Sequence, residues 1–199
     1  IDGVSQPSGI ADQELLQIRL SGIGPTENAD ARTREDMQVL RAVPGVAAVT
    51  LVNQFPFSGS ASNSGLTLTP EQDRPSLVAA TYQGHDDMVR TLGIQLSAGR
   101  DFRPDEFMDA TDLEQITDFS ALSSPTIVSA AVAEALFPGE SALGRTVYLG
   151  PVPLTIIGVA RTLTRPNEAG TGNMSHSLIL PIRNDYNSGG SYFIRVTDS

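Results

Sequence analysis

The chain has 199 residues, 40% of them apolar, with 23 acidic residues against 13 basic ones and a formal charge of −10; this suits one compact domain or two small ones of globular composition. So acidic a chain has no electrostatic footprint for a phosphate backbone, which excludes nucleic acid as a partner. All 13 basic residues are Arg and cysteine is absent, so Schiff-base and P-loop lysines, thiolate nucleophiles, disulfides, iron–sulfur clusters and cysteine zinc sites are excluded too.

From Gln13 to Leu20 apolar and polar residues alternate, with Leu16, Ile18 and Leu20 on one side, the pattern of a half-buried strand. Ser21-Gly22-Ile23-Gly24-Pro25 breaks it. Asn28 to Val43 places Thr33, Met37 and Leu40 at helical spacing and stops at Pro44-Gly45, which predicts one amphipathic helix. Val46 to Val52 is the next strand. Strand, helix and strand make a split βαβ, one half of a ferredoxin-like fold, which needs further strands to complete its sheet. Asn53 to Gly65, rich in Ser, Gly, Asn and Pro, reads as a crossing between lobes.

Shorter elements follow: a strand at Ser76 to Tyr82, a helix near Asp86 to Leu92 closed by Gly93, a strand at Ile94 to Leu96 and a turn at Ala98 to Phe102. Pro104 to Phe119 carries Asp105, Glu106, Asp109, Asp112, Glu114 and Asp118. It reads as a solvated loop whose Leu113, Ile116 and Phe119 form a helical tail, not as a calcium loop, since alternating oxygen ligands and a central glycine are missing. Thr126 to Val128 is a buried strand leading to a helix from Ser129, its cap, to Phe137. Strands at Thr146 to Leu149 and Leu154 to Thr162 are joined by the Gly150-Pro151-Val152-Pro153 connection. Arg165 to Ser177 is expected to be a flexible loop, Leu178 to Ile182 a strand and Tyr192 to Val196 the last one. The apolar runs Ala130 to Leu136 and Leu154 to Ala160 are far short of a membrane span. The chain opens at Ile1 without a signal-peptide pattern and stops at Ser199 just after a strand, so it is expected to be cut from a longer protein.

Little in the chain points to reaction chemistry. With only His85 and His176, a three-histidine zinc site is out of reach, and His85-Asp86-Asp87 reads as the acidic first turn of a helix. No Gly-x-Ser-x-Gly elbow exists for a serine hydrolase. Gly22-Ile23-Gly24 follows a strand and precedes a helix, yet Glu27 stands at the third glycine position of a dinucleotide fingerprint, where it would repel a pyrophosphate. Paired-acid chemistry stays open, because some two of 23 carboxylates approach each other in any fold. No catalytic residue, metal ligand or cofactor is therefore assigned.

Four segments form a set: Leu40 to Val46 with Pro44 and Gly45; Leu92 to Phe102 with Gly93, Gly99, Arg100 and Phe102; Ala133 to Arg145 with Phe137, Pro138, Leu143 and Gly144; and Ile156 to Val159 with Gly158. In this order they resemble the periplasmic core domain of MacB/FtsX-type ABC transporter permeases, from about Leu15 to Val196. These segments read as structural: Gly45, Gly93, Gly99, Gly139 and Gly144 suit turns or helix ends at positive φ, and Leu136, Phe137 and Leu143 are apolar anchors beneath them. The resemblance implies an α+β fold of two lobes, a porter-like βαβ lobe (1–57 and 184–199) and an inserted smaller mixed α/β lobe (58–183). The crossings fall at Asn53 to Gly65 and Arg183 to Gly190. It also implies a helix and a further strand after Val196, so the second porter half is trimmed or reduced here.

The implied function is that of a non-catalytic extracytoplasmic domain of a bacterial inner-membrane permease, relaying ATP-driven conformational change. Its expected partners are transmembrane helices of the same chain, a cytoplasmic ATP-binding subunit or domain, and a second permease copy or second such domain. A periplasmic adaptor, lipoprotein or peptide completes the set, with a basic face favoured by the charge. The competing expectation is a ligand-sensing or substrate-capturing domain that holds a peptide or lipid between its lobes.

Overall fold

The alternation at Gln13 to Leu20 forms strand β1 (Leu15–Arg19) in the computed structural model, which describes residues 7–19, 27–59, 61–167, 174–185 and 187–197. Leu20 of the predicted first strand, the Ser21 to Pro25 break, Gly22-Ile23-Gly24 included, and 168–173 within the expected loop after Arg165 lie outside the described residues. Helix α1 (Ala29–Arg41) and strand β2 (Val46–Val52) follow. The last strand, β12 (Ser191–Val196), lies between β1 and β2 and is antiparallel to both. This is the expected split βαβ arrangement.

Helix α1 covers one face of this sheet, where Met37 packs with Val49, Leu51, Tyr192 and Ile194. The other face places Val52 and Phe193 against Met88, Val89 and Leu92, all from the short helix α2 (Met88–Leu92). With both faces covered, β2 and β12 bury consecutive residues instead of alternate ones. The edge strand corrects an expectation. Leu16 and Ile18 pair with Ile194 and Tyr192, so they do share the α1 face, yet they are 55% and 46% exposed because α1 packs over β2 and leaves the edge uncovered. Leu15, on the other side, joins the core.

The rest of the chain builds a second sheet. Its strands are β3 (Asn63–Thr67), β4 (Leu77–Gln83), β5 (Leu96–Gly99), β7 (Ser124–Ser129), β8 (Thr146–Leu149), β9 (Val152–Ala160) and β10 (Ser177–Leu180), in the order β5-β9-β7-β10-β4-β3-β8. Strand β8 also pairs with β9, so all but β5 close into a ring without free edges. Closure depends on the nine residues of β9: one edge serves β8 at Val152 to Thr155 and then β5 at Gly158 to Ala160, and the other serves β7. Leu66, Leu154, Ile156 and Leu178 fill the core, to which helix α4 (Ala130–Leu136) adds Val132 and Leu136. The Val132 N–H donates to the Ser129 hydroxyl oxygen at 3.3 Å, the predicted cap. A separate two-stranded pair, β6 (Met108–Asp109) with β11 (Ile182–Arg183), flanks helix α3 (Ala110–Glu114).

Several boundaries move. Ala98 and Gly99, expected in a turn, belong to β5, whose register shifts after Leu96 as it follows β9. Residues 63–65, expected in the crossing, already pair with β4. The β8–β9 connection is shorter than predicted: Leu149 pairs with Val152, leaving Gly150 at φ 57 and Pro151 as the turn, a positive-then-negative φ sequence that fits a type II′ turn. The helical tail ends at Glu114, and Phe119 is 40% exposed in a single 3-10 turn. Arg165, read as opening a flexible loop, is fully buried and donates to Asn63 Oδ1 at 2.7 Å.

Candidate functional site

Strands β4 and β10 are parallel neighbours, so both leave the ring at the same end. Strand β4 runs into Gly84, which bridges to Val52 of β2. The next residue, His85, is buried; its N–H donates to Leu51 O at 3.0 Å and its carbonyl accepts from the Thr50 hydroxyl at 3.3 Å. The ring Nε2 lies 2.5 Å from Asn184 O, and since a carbonyl only accepts, Nε2 carries the proton. Burial holds the His85 pKa below its ordinary value, against the opposing pull of the Asn184 carbonyl, Asp86 and Asp109 and with a small push from Arg183.

Beside it, Arg183 joins separate segments. Its Nε donates to Asp86 at 2.9 Å, Nη2 to Pro104 O at 3.1 Å, and Nη1 lies 3.5 Å from Asp109. The guanidinium sits 5.1 Å from the Phe107 ring centroid, a favourable cation–π distance. Asp109 also takes Arg34 of α1 at 3.1 Å, and Thr111 donates to Asp30 of α1 at 2.6 Å. The 104–111 segment is thus strapped to the ring on one side and to the split βαβ unit on the other. At its start Arg100 grips Glu106 with two hydrogen bonds of 2.8 and 2.6 Å. That contact, with Arg103 adding to it, holds the Glu106 carboxyl down at about 2.

Between the two sheets opens a cleft of about 710 Å³ that includes Arg19, Asn53, Gln54, Gln83, Asn184 and Ser188 in its lining. Two of its amides, Asn53 and Gln54, are committed to the backbone. Asn53 donates to Thr81 O at 3.0 Å and accepts from the Gln83 N–H at 2.9 Å, while Gln54 donates to Thr81 O at 3.0 Å and accepts from the Ser62 N–H at 2.7 Å. These bonds fix the crossing from β2 to β3. Among the described residues no group of three or more His, Cys, Asp or Glu side chains stands where it could hold a metal ion.

The sequence-selected segments meet in part. Arg100 N–H donates to Ile157 O at 3.0 Å, Gly144 N–H to Ile156 O at 2.8 Å, and Ile156 N–H to Arg145 O at 2.9 Å, so three of the four come together beside β9. Gly99, at φ 78, faces Ile157 O and Leu143 so closely that a Cβ has no room, and a Cβ on Gly158 would lie 2.7 Å from Arg100 O. Gly93 ends α2 at φ 66, with Gly93 N–H to Arg90 O and Ile94 N–H to Val89 O closing a Schellman motif. Phe102 packs edge-on to Phe107 at 5.6 Å. Phe137 is 9% exposed, in the ring core and under the Arg145 guanidinium, ahead of the Pro138 turn. Leu143 is a correction: it is 37% exposed, a lid over Gly99 and not a buried anchor. The Pro44-Gly45 turn lies apart, its Gly45 carbonyl accepting from Thr197 N–H at 2.8 Å. The His85, Asp86, Arg183 and Asn184 junction had no signal as a unit, because its halves are joined only by the pairing of β4 with β10.

A split βαβ sheet beside a closed mixed ring makes this a mixed α/β domain. Over residues 3–199 the chain matches the MacB-like periplasmic core domain, and it belongs to that family. It is similar to the periplasmic region of MacB from Actinobacillus actinomycetemcomitans, with 20% identity and a TM-score of 0.54 over 96% of this chain and 78% of that one. It is also similar to the extracellular domain of the noncanonic ABC-type transporter YknZ from Gram-positive bacteria, with 16% identity and a TM-score of 0.52 over 92% of this chain and 83% of that one. No curated protein matches it. The family makes this a periplasmic or extracellular domain of a membrane transporter, and no described helix is long and apolar enough to cross a membrane.

Proposed function

We propose that the domain works as a non-catalytic relay, passing the ATP-driven movements of membrane helices to a partner or substrate outside the membrane. The observation that carries this reading is the strapped junction: His85 is hydrogen-bonded to Leu51 O and Thr50 of β2 at 3.0 and 3.3 Å, α1 holds the 104–111 segment through Arg34–Asp109 and Asp30–Thr111 at 3.1 and 2.6 Å, and Arg183 ties Asp86 and Asp109 together on the ring side. A relay needs its parts to move together, and buried or half-buried charge-assisted contacts resist relative motion better than exposed ones. The first and last strands also suit insertion between two spans. Val196 N–H donates to Glu14 O at 2.9 Å, so the start of β1 and the end of β12 stand side by side.

In this reading the lobes are 1–57 with 184–199, and 58–183. The partners are the transmembrane helices of the same chain, a cytoplasmic ATPase, a second copy or second such domain, and an adaptor, lipoprotein or peptide. Capture of a peptide or lipid between the lobes is the second reading, favoured by the polar cleft, although Asn53 and Gln54 already spend their amides on the backbone.

The test is electron-spin distance measurement in the full-length permease with its ATPase, with labels at the exposed helix positions Glu35 and Glu134. A relay keeps the Glu35 to Glu134 distance within one domain unchanged on ATP binding, while the Glu35 to Glu35 distance between two domains shifts. A change confined to the distance within one domain would refute it.

A further inference from the structure

The acidic 104–122 excursion does not close onto the ring. Between them lies a cavity of about 410 Å³, walled on one side by Met108, Leu113 and Phe119 and on the other by Val152, Leu154 and Leu180. Leu154 and Leu180 are 1% and 3% exposed, so the floor is the outer limit of the ring core itself. The excursion is anchored at its start, where Met108 and Asp109 pair with Ile182 and Arg183, and the strap to Arg183 keeps it from collapsing inward. Small-ligand sites are typically largely preformed apolar concavities of this kind. The cavity volume is at the small end of such sites, roughly 300 to 1,000 Å³, with room for one alkyl chain.

Among the described residues, the polar members of the lining are Ser124 and Glu114. Glu114 makes no ion pair among the described residues, and neither does its neighbour Asp112. The arginines that hold the excursion, Arg183, Arg34 and Arg100, are already paired with Asp86, Asp109 and Glu106. An anion at this lip would meet uncompensated negative charge, whereas a cation would gain a partner. We propose that the cavity binds the alkyl chain of a slender single-chain amphiphile whose polar end is cationic and rests against Glu114. This assignment stands apart from the relay reading and does not depend on it.

The 199-residue chain would be titrated with decyltrimethylammonium, decyl maltoside and decanoate, each below its micellar concentration, by calorimetry and by methyl NMR. The cationic probe binds saturably at one site, and decanoate binds about fivefold more weakly or worse, the range of a solvent-exposed charge contact. Methyl shifts concentrate at Met108, Leu113, Leu154 and Leu180. Glu114→Gln keeps the alkyl contact but removes the preference for the cation, and Leu113→Trp, which fills the lip, abolishes binding while the far-UV spectrum is unchanged. Should Leu113→Trp fail to fold, the wild-type shift map decides. Unsaturable heats, shifts centred elsewhere, or decanoate binding as well as the cation would overturn the proposal.

Discussion

Arg183 and Asp86 meet at 2.9 Å across 97 residues of sequence, and the register of two strands brings them together. Leu180 pairs with Gln83 in the parallel β10–β4 ladder, and each member of the ion pair stands three residues beyond its strand. One ladder register thus fixes both ends of the junction. Replacing Arg183 with Met keeps much of the stem volume but leaves Asp86 and Pro104 O without their donor. Hydrogen bonds to charged groups contribute about 1.5 to 3 kcal/mol, and with Asp86 39% exposed the lower end applies, so a loss of about 1.5 kcal/mol is expected in urea unfolding. Hydrogen exchange should quicken at 104–109 more than in β4 or β10. Uniform acceleration over the whole chain would argue against a strap.

Gly99 and Gly139 have nearly the same φ, 78 and 71, but different surroundings. A Cβ at Gly99 would strike Ile157 O and come within 2.7 Å of Leu143 Cδ2, whereas at Gly139 nothing lies within 4 Å. Gly139→Ala therefore bears only the left-handed backbone cost, about 1 to 2 kcal/mol. Gly99→Ala adds displacement of the β5–β9 backbone and should lose about 3 kcal/mol or more. Equal losses in chemical denaturation would mean that β5 can shift away from β9 without cost.

Phe137 and Leu143 were paired as anchors in the sequence, and the structure separates them. Phe137 is 9% exposed within the ring core and Leu143 is 37% exposed. Truncating a buried aromatic costs about 3 to 5 kcal/mol, so Phe137→Ala is expected to fall in that range. Leu143→Ala should cost about 1 kcal/mol, in proportion to the apolar surface it still covers. Thermal melts of the two variants check the order; a Leu143→Ala melt lower than that of Phe137→Ala would reverse the assignment.

What was legible in the sequence follows from locality. The split βαβ and the α4 cap are written in neighbouring residues: the helical spacing of Thr33 and Met37, the Pro44-Gly45 stop, and Ser129 before Val132. The phase of β1 was legible too, but its burial was not, because exposure of Leu16 and Ile18 depends on how far α1 reaches over the sheet. Ring closure was hidden for the same reason. Nothing in Val152 to Ala160 shows that one edge serves both β8 and β5. Arg165 gave no signal at all: its partners Asn63 and Val78 O lie about a hundred residues away, and a lone Arg before a Pro reads as surface.

The junction also carries two separate pH signatures. His85 has a folded pKa below its ordinary 6.5, chiefly from burial, so the unfolded chain binds protons first as pH falls. Its contribution is complete above about pH 6.5 and declines below it. His176 is shifted the same way by burial and Arg165, so His85→Gln, which retains a donor for Asn184 O, should flatten only part of the decline between pH 7 and 5. Glu106 is held at about 2 against an ordinary 4.5, first by its Arg100 hydrogen bonds. Its contribution is present above about pH 4.5 and is lost as pH falls towards 2. Glu106→Gln should therefore be less stable than wild type by about 1 kcal/mol at pH 7, a figure discounted for the solvent around Arg100, with the gap closing near pH 2. Urea midpoints from pH 2 to 8 separate the two effects. A gap for Glu106→Gln that persists unchanged at pH 2 would show that its packing, not its charge, stabilises the turn.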